Sequence, residues 1–341
     1  MRELPLVSVI VPNYNYASTL GACIESAQRQ TYPSVEVIVA DDASTDDSVA
    51  VARARGVTVL ETDVNAGVST ARNRGAAAAA GDILFFVDSD VALEPDAIAQ
   101  AVTMLRDKPE VGAVCGMYLA EPMFPDTLVK RYRAIQQFVW FTEIDGPIPG
   151  LHSALFAIRR ATFEEIGPFN TNLRWTEEQD YGFRLNARYQ VLAASAIRGR
   201  HDHDGTLRVM ITKVFQRTRL GAPNWLRLGS MPGGAGTPYR ALGSGFVLLA
   251  LLGLLVSPFL GAWGLGGWGF AATALALIIG IALDGRTYAY AFRHHGVLFG
   301  LQFTVLHLLV MLTSAVAGGL GILSGLLFPS KTRRLYGVRN A

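Results

Sequence analysis

Over the first ninety positions, short β-rich apolar blocks alternate with segments of helical spacing. Val7–Pro12 is an apolar run, Ser18–Gln30 reads as a helix, and Val35–Asp41 is a second strand that ends in acids. Ser44/Thr45–Ala54 predicts a helix with a hydroxyl cap and with Asp46 and Asp47 in its first turn, where the helix dipole favours them. Val57–Glu61, an Ala-rich helix over Val68–Ala80 and a continuous apolar strand Ile83–Val87 complete βαβαβαβ. Such strands predict a parallel sheet covered on both faces, with ligands bound at the carboxyl ends. Four polar clusters fall at those ends: Pro12–Asn15, Asp41–Asp42, Asn65–Gly67 and Asp88–Asp90.

The pattern changes after Arg240. Ala241–Leu260, Gly264–Leu283 and Val297–Phe328 are each long enough to cross a hydrocarbon core, which needs about 20 helical residues. Their one titratable side chain is His307. Gly261–Trp263 predicts a short outer turn and Asp284–His295 a loop on the inner side. The last stretch is long enough to be tilted, broken at Gly318–Gly319 or partly re-entrant. Before the first span, Thr206–Leu220 places Leu207, Met210, Ile211, Val214 and Phe215 at helical spacing, which fits either a helix in the headgroup layer or one packed on the first domain. The expected organisation is therefore a domain over 1–205, a basic segment over 206–240, a membrane region over 241–328 and a basic tail over 329–341.

Charge sharpens that division. Up to Arg240 the chain carries 24 basic and 27 acidic residues, and beyond it 6 basic and 1 acidic. Between Thr206 and Arg240 stand Arg208, Lys213, Arg217, Arg219, Arg227 and Arg240 with no acid, as expected of a cytosolic flank. Met1–Pro12 has too short an apolar run for a signal peptide, which places the first domain in the cytosol. Lys331, Arg333, Arg334 and Arg339 would lie outside after three spans, against the same charge rule. Two cysteines, Cys23 in a helical pattern and Cys115 in a strand-like run, suit reduced packing thiols.

Val11-Pro12-Asn13-Tyr14-Asn15 follows the first strand where a dinucleotide site needs G-x-G-x-x-G, and no P-loop is present. Oxidoreductase and P-loop readings fall away, and nothing points to nucleic acid. A transporter is disfavoured by spans with almost no polar residue. Asp88 and Asp90, at the end of a strand, offer two hard oxygen donors suited to Mg²⁺ or Mn²⁺ carried with a nucleotide diphosphate, although D-x-D is also the pattern of a capped turn. Asp42 can accept hydrogen bonds from a base or ribose or cap a helix, and Arg72 can meet phosphates or form a surface ion pair. Glu177, Glu178 and Asp180 pack three carboxylates ahead of a helix, a pattern shared by a general base near neutrality and by a dipole-stabilised helix start. His201 and His203 suit a third metal ligand or a surface polar cluster.

In this order the motifs resemble the inverting family 2 glycosyltransferases. Val9-Ile10-Val11-Pro12-Asn13-Tyr14-Asn15 is similar to the opening strand, and Val39 to Asp46 to the V-D-D-G-S-x-D segment, with Ala43 in place of glycine. Asn65-Ala66-Gly67 with Ala71-Arg72-Asn73-Arg74-Gly75 resembles N-x-G…A-R-N-x-G, and Asp88-Ser89-Asp90 the metal-binding D-x-D. Gly150 through Arg159-Arg160, Phe163, Gly167 and Phe169 resembles the acceptor-side region, and Glu177-Glu178-Gln179-Asp180 stands in place of E-D-x-D.

The resemblance, which covers roughly residues 6–205, implies an α/β GT-A fold, a Rossmann-like nucleotide-diphospho-sugar transferase domain. It implies a single displacement at the anomeric carbon of a nucleotide sugar, UDP-linked by family habit. Pro12, Asn13, Tyr14 and Asp42 would hold the nucleoside, with Arg72 and Asp88 near ribose or phosphate. Asp90, Asp88 and His203 would bind Mg²⁺ or Mn²⁺, and Glu178 would be the base, with Glu177 and Asp180 as alternatives. Gln216-Arg217-Thr218-Arg219 with Leu220 only partly echoes the Q-x-x-R-W of processive synthases, which favours single-sugar addition. The expected acceptor is a lipid-linked glycan or glycolipid at the bacterial cytoplasmic membrane, the basic segment facing anionic lipid. A polyprenyl-phosphate sugar synthase and an inactive nucleotide-sugar-binding scaffold are the alternatives.

Overall fold

The computed structural model describes residues 4–142, 144–173, 176–228 and 237–327. Its contacts divide the chain into two units, Met1–Asp126 with Phe141–His203, and Thr127–Trp140 with Asp204–Ala341. The second unit thus takes in a helical stretch that the hydropathy pattern assigns to the first domain.

Chain order begins β1 (Val7–Asn13), α1 (Ala17–Gln28), β2 (Val35–Asp41), α2 (Ser48–Arg53), β3 (Thr58–Leu60), α3 (Val68–Ala78), β4 (Ile83–Val87), β5 (Val91–Leu93), α4 (Ala97–Asp107) and β6 (Val111–Tyr118). It continues α5 (Leu128–Thr142), β7 (Gly146–Pro147), β8 (Leu155–Arg159), α6 (Arg160–Ile166), α7 (Glu177–Asn186) and β9 (Gln190–His201). The sheet order is β3-β2-β1-β4-β8-β6-β9-β5, with β7 beside β9. β1 to β4 are parallel as expected, but β8 runs antiparallel between β4 and β6, so the whole sheet is mixed. Apolar content reports burial and carries no strand direction.

Alternate residues feed two cores. Val9, Val11, Val37, Val39, Phe85 and Val87 pack beneath Leu20 and Ile24 of α1 and Ile98 and Leu105 of α4. Ile10, Ile38, Leu84 and Phe86 face Phe156, Phe163, Phe169 and Tyr181 on the other side, where Phe86 stacks on Phe156 at 4.7 Å. Burying each such side chain stabilises the fold by about 1.5–3 kcal/mol.

α2 starts later than its sequence predicts, at Ser48 after Asp47, and Asp46 does not sit in its first turn. Residues 44–46 instead bond to the loop after β1: the Asn15 backbone N–H donates to Ser44 Oγ at 2.9 Å, the Thr45 N–H to Asn15 Oδ1 at 2.7 Å, and the Ala17 N–H to Asp46 Oδ2 at 3.0 Å. Tertiary bonds outcompete the local cap.

The second unit continues with α8 (Leu207–Leu228), α9 (Pro238–Leu260), a 3₁₀ turn over Gly261–Trp263, α10 (Gly266–Leu283) and α11 (Gly285–Leu327). Among the described residues, three segments are long and apolar enough to cross a membrane: Pro238–Trp263, Gly266–Leu283 and Gly285–Leu327. Leu254, Leu275, Ile278 and Val305 point outward, as side chains do when lipid is the solvent. α8 packs along α11, with Met210 fully buried.

Asp284–His295, expected as a loop, is largely helical, and the break falls at Gly296, whose φ of 81° leaves the helical region. Gly318–Gly319 stay helical. The glycines there permit close approach: a Cβ on Gly321 would collide with the carbonyl of Arg219 on α8. The basic tail 329–341 lies outside the described residues, as does the side chain of Arg227.

Candidate active site

β1, β2, β4, β6 and β9 all end at one edge of the sheet, and antiparallel β8 begins there. Asn13, Asp41, Asp88, Tyr118, Ser153 and His201 are thereby gathered from remote parts of the chain. A separate cavity of about 440 Å³, lined by Gln28, Tyr32, Glu36 and Thr58 among others, lies toward the opposite ends of β2 and β3, away from these groups.

The first two polar clusters are cross-linked. Asn13 Nδ2 donates to Asp41 Oδ2 at 2.7 Å and to Ser44 Oγ at 3.1 Å, while its buried Oδ1 has no hydrogen-bond partner. Pro12 is buried in β1, and Tyr14 just beyond it is 43% exposed. Asp42 accepts the backbone N–H groups of Ala66 at 2.9 Å and Gly67 at 2.7 Å, so it shapes the Asn65–Gly67 loop. Ala43, directly after the two aspartates, has φ of 64°, a conformation that glycine adopts without strain.

Each residue of the Arg72-Asn73-Arg74-Gly75 stretch has a visible job. The Arg72 guanidinium is 2% exposed; its Nη2 lies 2.9 Å from Asp88 Oδ1 and its Nη1 3.8 Å from Glu177 Oε1. Arg72 Nε and Nη1 and Glu177 Oε2 are buried without hydrogen-bond partners. Asn73 makes a reciprocal pair with the Phe169 backbone at 2.9 and 2.8 Å. Arg74 Nη2 donates to the Glu61 carbonyl at 2.8 Å. Gly75 lets α3 touch β1, because a Cβ there would collide with Ile10.

Asp88 retains 30% side-chain exposure, and burial pushes its carboxyl upward while Arg72 pulls it down and Asp90 adds to the rise. Cys23 Sγ lies 3.6 Å from the Asp88 carbonyl; burial raises this thiol and pushes Cys115 up to about 12, so both pack as neutral groups. His201 Nε2 is 3.7 Å from Asp90 Oδ1. The His203 N–H donates to His201 Nδ1 at 2.7 Å, which leaves the His201 proton on Nε2, facing Asp90. The His203 ring stacks on His201 at 4.4 Å.

The three carboxylates at the start of α7 diverge. Glu177 turns to Arg72, Asp180 pairs with Arg184 at 3.1 Å, and Glu178 Oε2 accepts from Ser153 Oγ at 2.9 Å. α7 is held by Tyr181, whose ring lies 4.2 Å from Phe169, and by Gly182, where a Cβ would sit 2.5 Å from the Leu151 nitrogen. Ser153 and its neighbour His152, which no sequence pattern singles out, become visible only through this contact. Burial lowers His152 to about 4, and its Nδ1 has no hydrogen-bond partner.

Among the described residues no group of three or more His, Cys, Asp or Glu is arranged to hold a metal ion. The donor set still fits Mg²⁺ or Mn²⁺, because such ions with a nucleotide diphosphate take one or two carboxylates and draw their other ligands from phosphate and water. Asp90 and Asp88 supply the carboxylates, and Asp90 is the one not committed to Arg72.

Residues 8–167 match the model of the family described as Glycosyl transferase family 2. The chain carries a family 2 glycosyltransferase domain. A glycosyltransferase of Haemophilus influenzae is 28% identical over 193 residues, covering 53% of this chain and 62% of that protein, so the chain spans somewhat less than two thirds of that relative. A PGL/p-HBAD biosynthesis glycosyltransferase of Mycobacterium tuberculosis is 28% identical over 240 residues, 64% of this chain and 87% of that protein. The fold of the transferase domain is GT-A: a mannosyltransferase from Pyrobaculum calidifontis, solved with GDP-Man and Mn2+, aligns over 94% of this chain and 88% of its own with a TM-score of 0.54 at 20% identity.

Proposed function

We propose that this chain is an inverting glycosyltransferase that moves one sugar from a nucleotide-diphosphate sugar to a lipid-linked glycan or glycolipid at the cytosolic face of a bacterial inner membrane. The observation that carries the reading is Arg72 between Asp88 and Glu177. It joins the D-x-D turn to the start of α7, and its buried Nε and Nη1 are donors of the kind a ribose or diphosphate oxygen satisfies.

Asn13 Oδ1 suits an N–H of the base, Tyr14 offers a ring for it to lie on, and Asp42 holds the Asn65–Gly67 loop that closes the nucleoside site. Mg²⁺ or Mn²⁺, held by Asp90 and Asp88 with His203 as a further ligand, would offset charge developing on the departing diphosphate. Glu178 takes the proton of the acceptor hydroxyl, with Ser153 aiming its carboxylate. The acceptor oxygen then attacks opposite the diphosphate, and the anomeric configuration inverts. The apolar helices and the acid-free basic flank before them support attachment at the inner leaflet.

The test is nucleotide release by detergent-purified full-length protein, with UDP-sugars and GDP-mannose supplied with Mn²⁺ or Mg²⁺. Metal-dependent release from one donor is expected. Tight donor binding with no release from any donor would make the chain a binding scaffold instead.

A further inference from the structure

The edge that carries the carboxylates also carries a row of rings that the proposed chemistry leaves unused. His152 meets Phe141 with ring centroids 4.8 Å apart and planes at 64°. Phe141 meets Tyr118 at 5.8 Å and 80°, and Tyr118 meets His201 at 4.9 Å and 70°. One end of the row reaches Asp90 through His201. The other end is the residue before Ser153, the partner of Glu178. All these rings are half-buried, so each keeps an open portion, and edge-to-face contacts fix their tilt. Tyr118 ends β6, Phe141 lies on α5 and His152 in the loop before β8, so three separate segments of the chain supply the row.

We propose that Tyr118, Phe141 and His152 form the acceptor subsite, and that it takes a sugar ring rather than a bare lipid phosphate. This assignment rests on the transferase reading above. The row joins the neighbours of Asp90 and of Glu178, the two carboxylates between which the acceptor attacks in the proposed reaction. The C–H face of a pyranose packs on aromatic rings, whereas a phosphate monoester brings charge and no such face. The polar group beside the row is His152 Nδ1, buried and without a hydrogen-bond partner. A sugar hydroxyl next to the attacking one supplies that partner, and leaving a buried group unsatisfied costs about 1–3 kcal/mol, so the site discriminates against an acceptor lacking it.

The experiment uses full-length protein in detergent with whichever donor the nucleotide-release test identifies. Octyl glycosides of glucose, galactose, mannose and N-acetylglucosamine serve as ring acceptors, and farnesyl phosphate as the ringless anionic one. Transfer to at least one octyl glycoside, and none to farnesyl phosphate, is expected. In Phe141→Ala and His152→Ala the ratio of glycoside product to sugar released by water should fall at least tenfold, with Phe141→Tyr and His152→Asn restoring part of it. Transfer to farnesyl phosphate in preference to every glycoside overturns the proposal, as does an unchanged ratio in both alanine variants. Donor hydrolysis without transfer to any glycoside overturns the ring assignment and leaves the transferase reading standing. No nucleotide release from any donor overturns both.

Discussion

Arg72 Nη2 lies 2.9 Å from Asp88 Oδ1, and through Nη1 the same guanidinium approaches Glu177. One cation thus serves two carboxylates from segments nearly ninety residues apart. Arg72→Lys keeps the charge but loses the planar fork, and donor affinity should fall at least tenfold. Arg72→Ala leaves Glu177 buried without its cation; allowing for the partial exposure of Asp88, the cost is about 2 kcal/mol of stability. Isothermal titration with the donor and thermal unfolding in detergent check the two parts separately.

The three acids at the start of α7 should respond differently. Glu178→Gln is expected to lower turnover by roughly 10²–10⁴ while sparing donor binding, because the base is lost and the shape kept. Asp180→Asn disturbs a partly exposed pair with Arg184 and should change turnover only severalfold. Normal turnover in Glu178→Gln removes that residue from its role, and a larger loss in Asp180→Asn transfers the role to Asp180.

Ala43 holds a left-handed backbone, which an L side chain rarely adopts. Relief of that strain is worth about 1–2 kcal/mol, against a loss of about 0.4–1 kcal/mol from the freer unfolded chain. Ala43→Gly should therefore stabilise the protein by about 1 kcal/mol, seen as a higher unfolding midpoint.

Asp284 is buried in the second unit with four donors. Arg240 Nε at 3.2 Å and Thr287 Oγ1 at 2.7 Å reach Oδ1, and His307 Nε2 at 2.9 Å and Trp140 Nε1 at 3.1 Å reach Oδ2. His307 Nδ1 in turn accepts from Tyr132 at 2.9 Å, so α5 is tied to α9 and α11 through one carboxylate. Asp284→Ala strands the Arg240 charge and should cost roughly 3–5 kcal/mol. Asp284→Asn keeps an acceptor and should cost less. Temperature-dependent aggregation in detergent ranks the two.

Burial lowers His152 from its ordinary value to about 4. Between about pH 6.5 and 4 the unfolded chain binds a proton at this position that the folded chain refuses, so stability falls as the pH falls through that window. His152→Gln removes the dependence. Wild type should lose more of its unfolding midpoint between pH 7 and 5 than the variant does, and parallel losses would show that the histidine titrates freely.

The strands and the sheet edge were readable in sequence because burial on both faces forces continuous apolar runs, and the polar clusters after them had nowhere else to converge. The partners within the edge were not readable. Ser153 and His152 lie in a segment without periodicity and matter only because α7 comes to rest beside it. α2 was expected too early because Ser44 and Asp46 look like caps when their bonds to the β1–α1 loop are unseen. The break at Gly296 and the continuity at Gly318–Gly319 could not be told apart, since glycine serves equally for a left-handed residue and for tight helix packing.

The bare contact of Gly182 with Leu151 has a practical meaning for redesign. With no side chain filling that joint, nothing there can be trimmed or swapped to re-aim the putting-down of Glu178, and any larger residue would lever the whole helix outward. Attempts to change which hydroxyl is glycosylated should leave this seam untouched and vary the rings across from it.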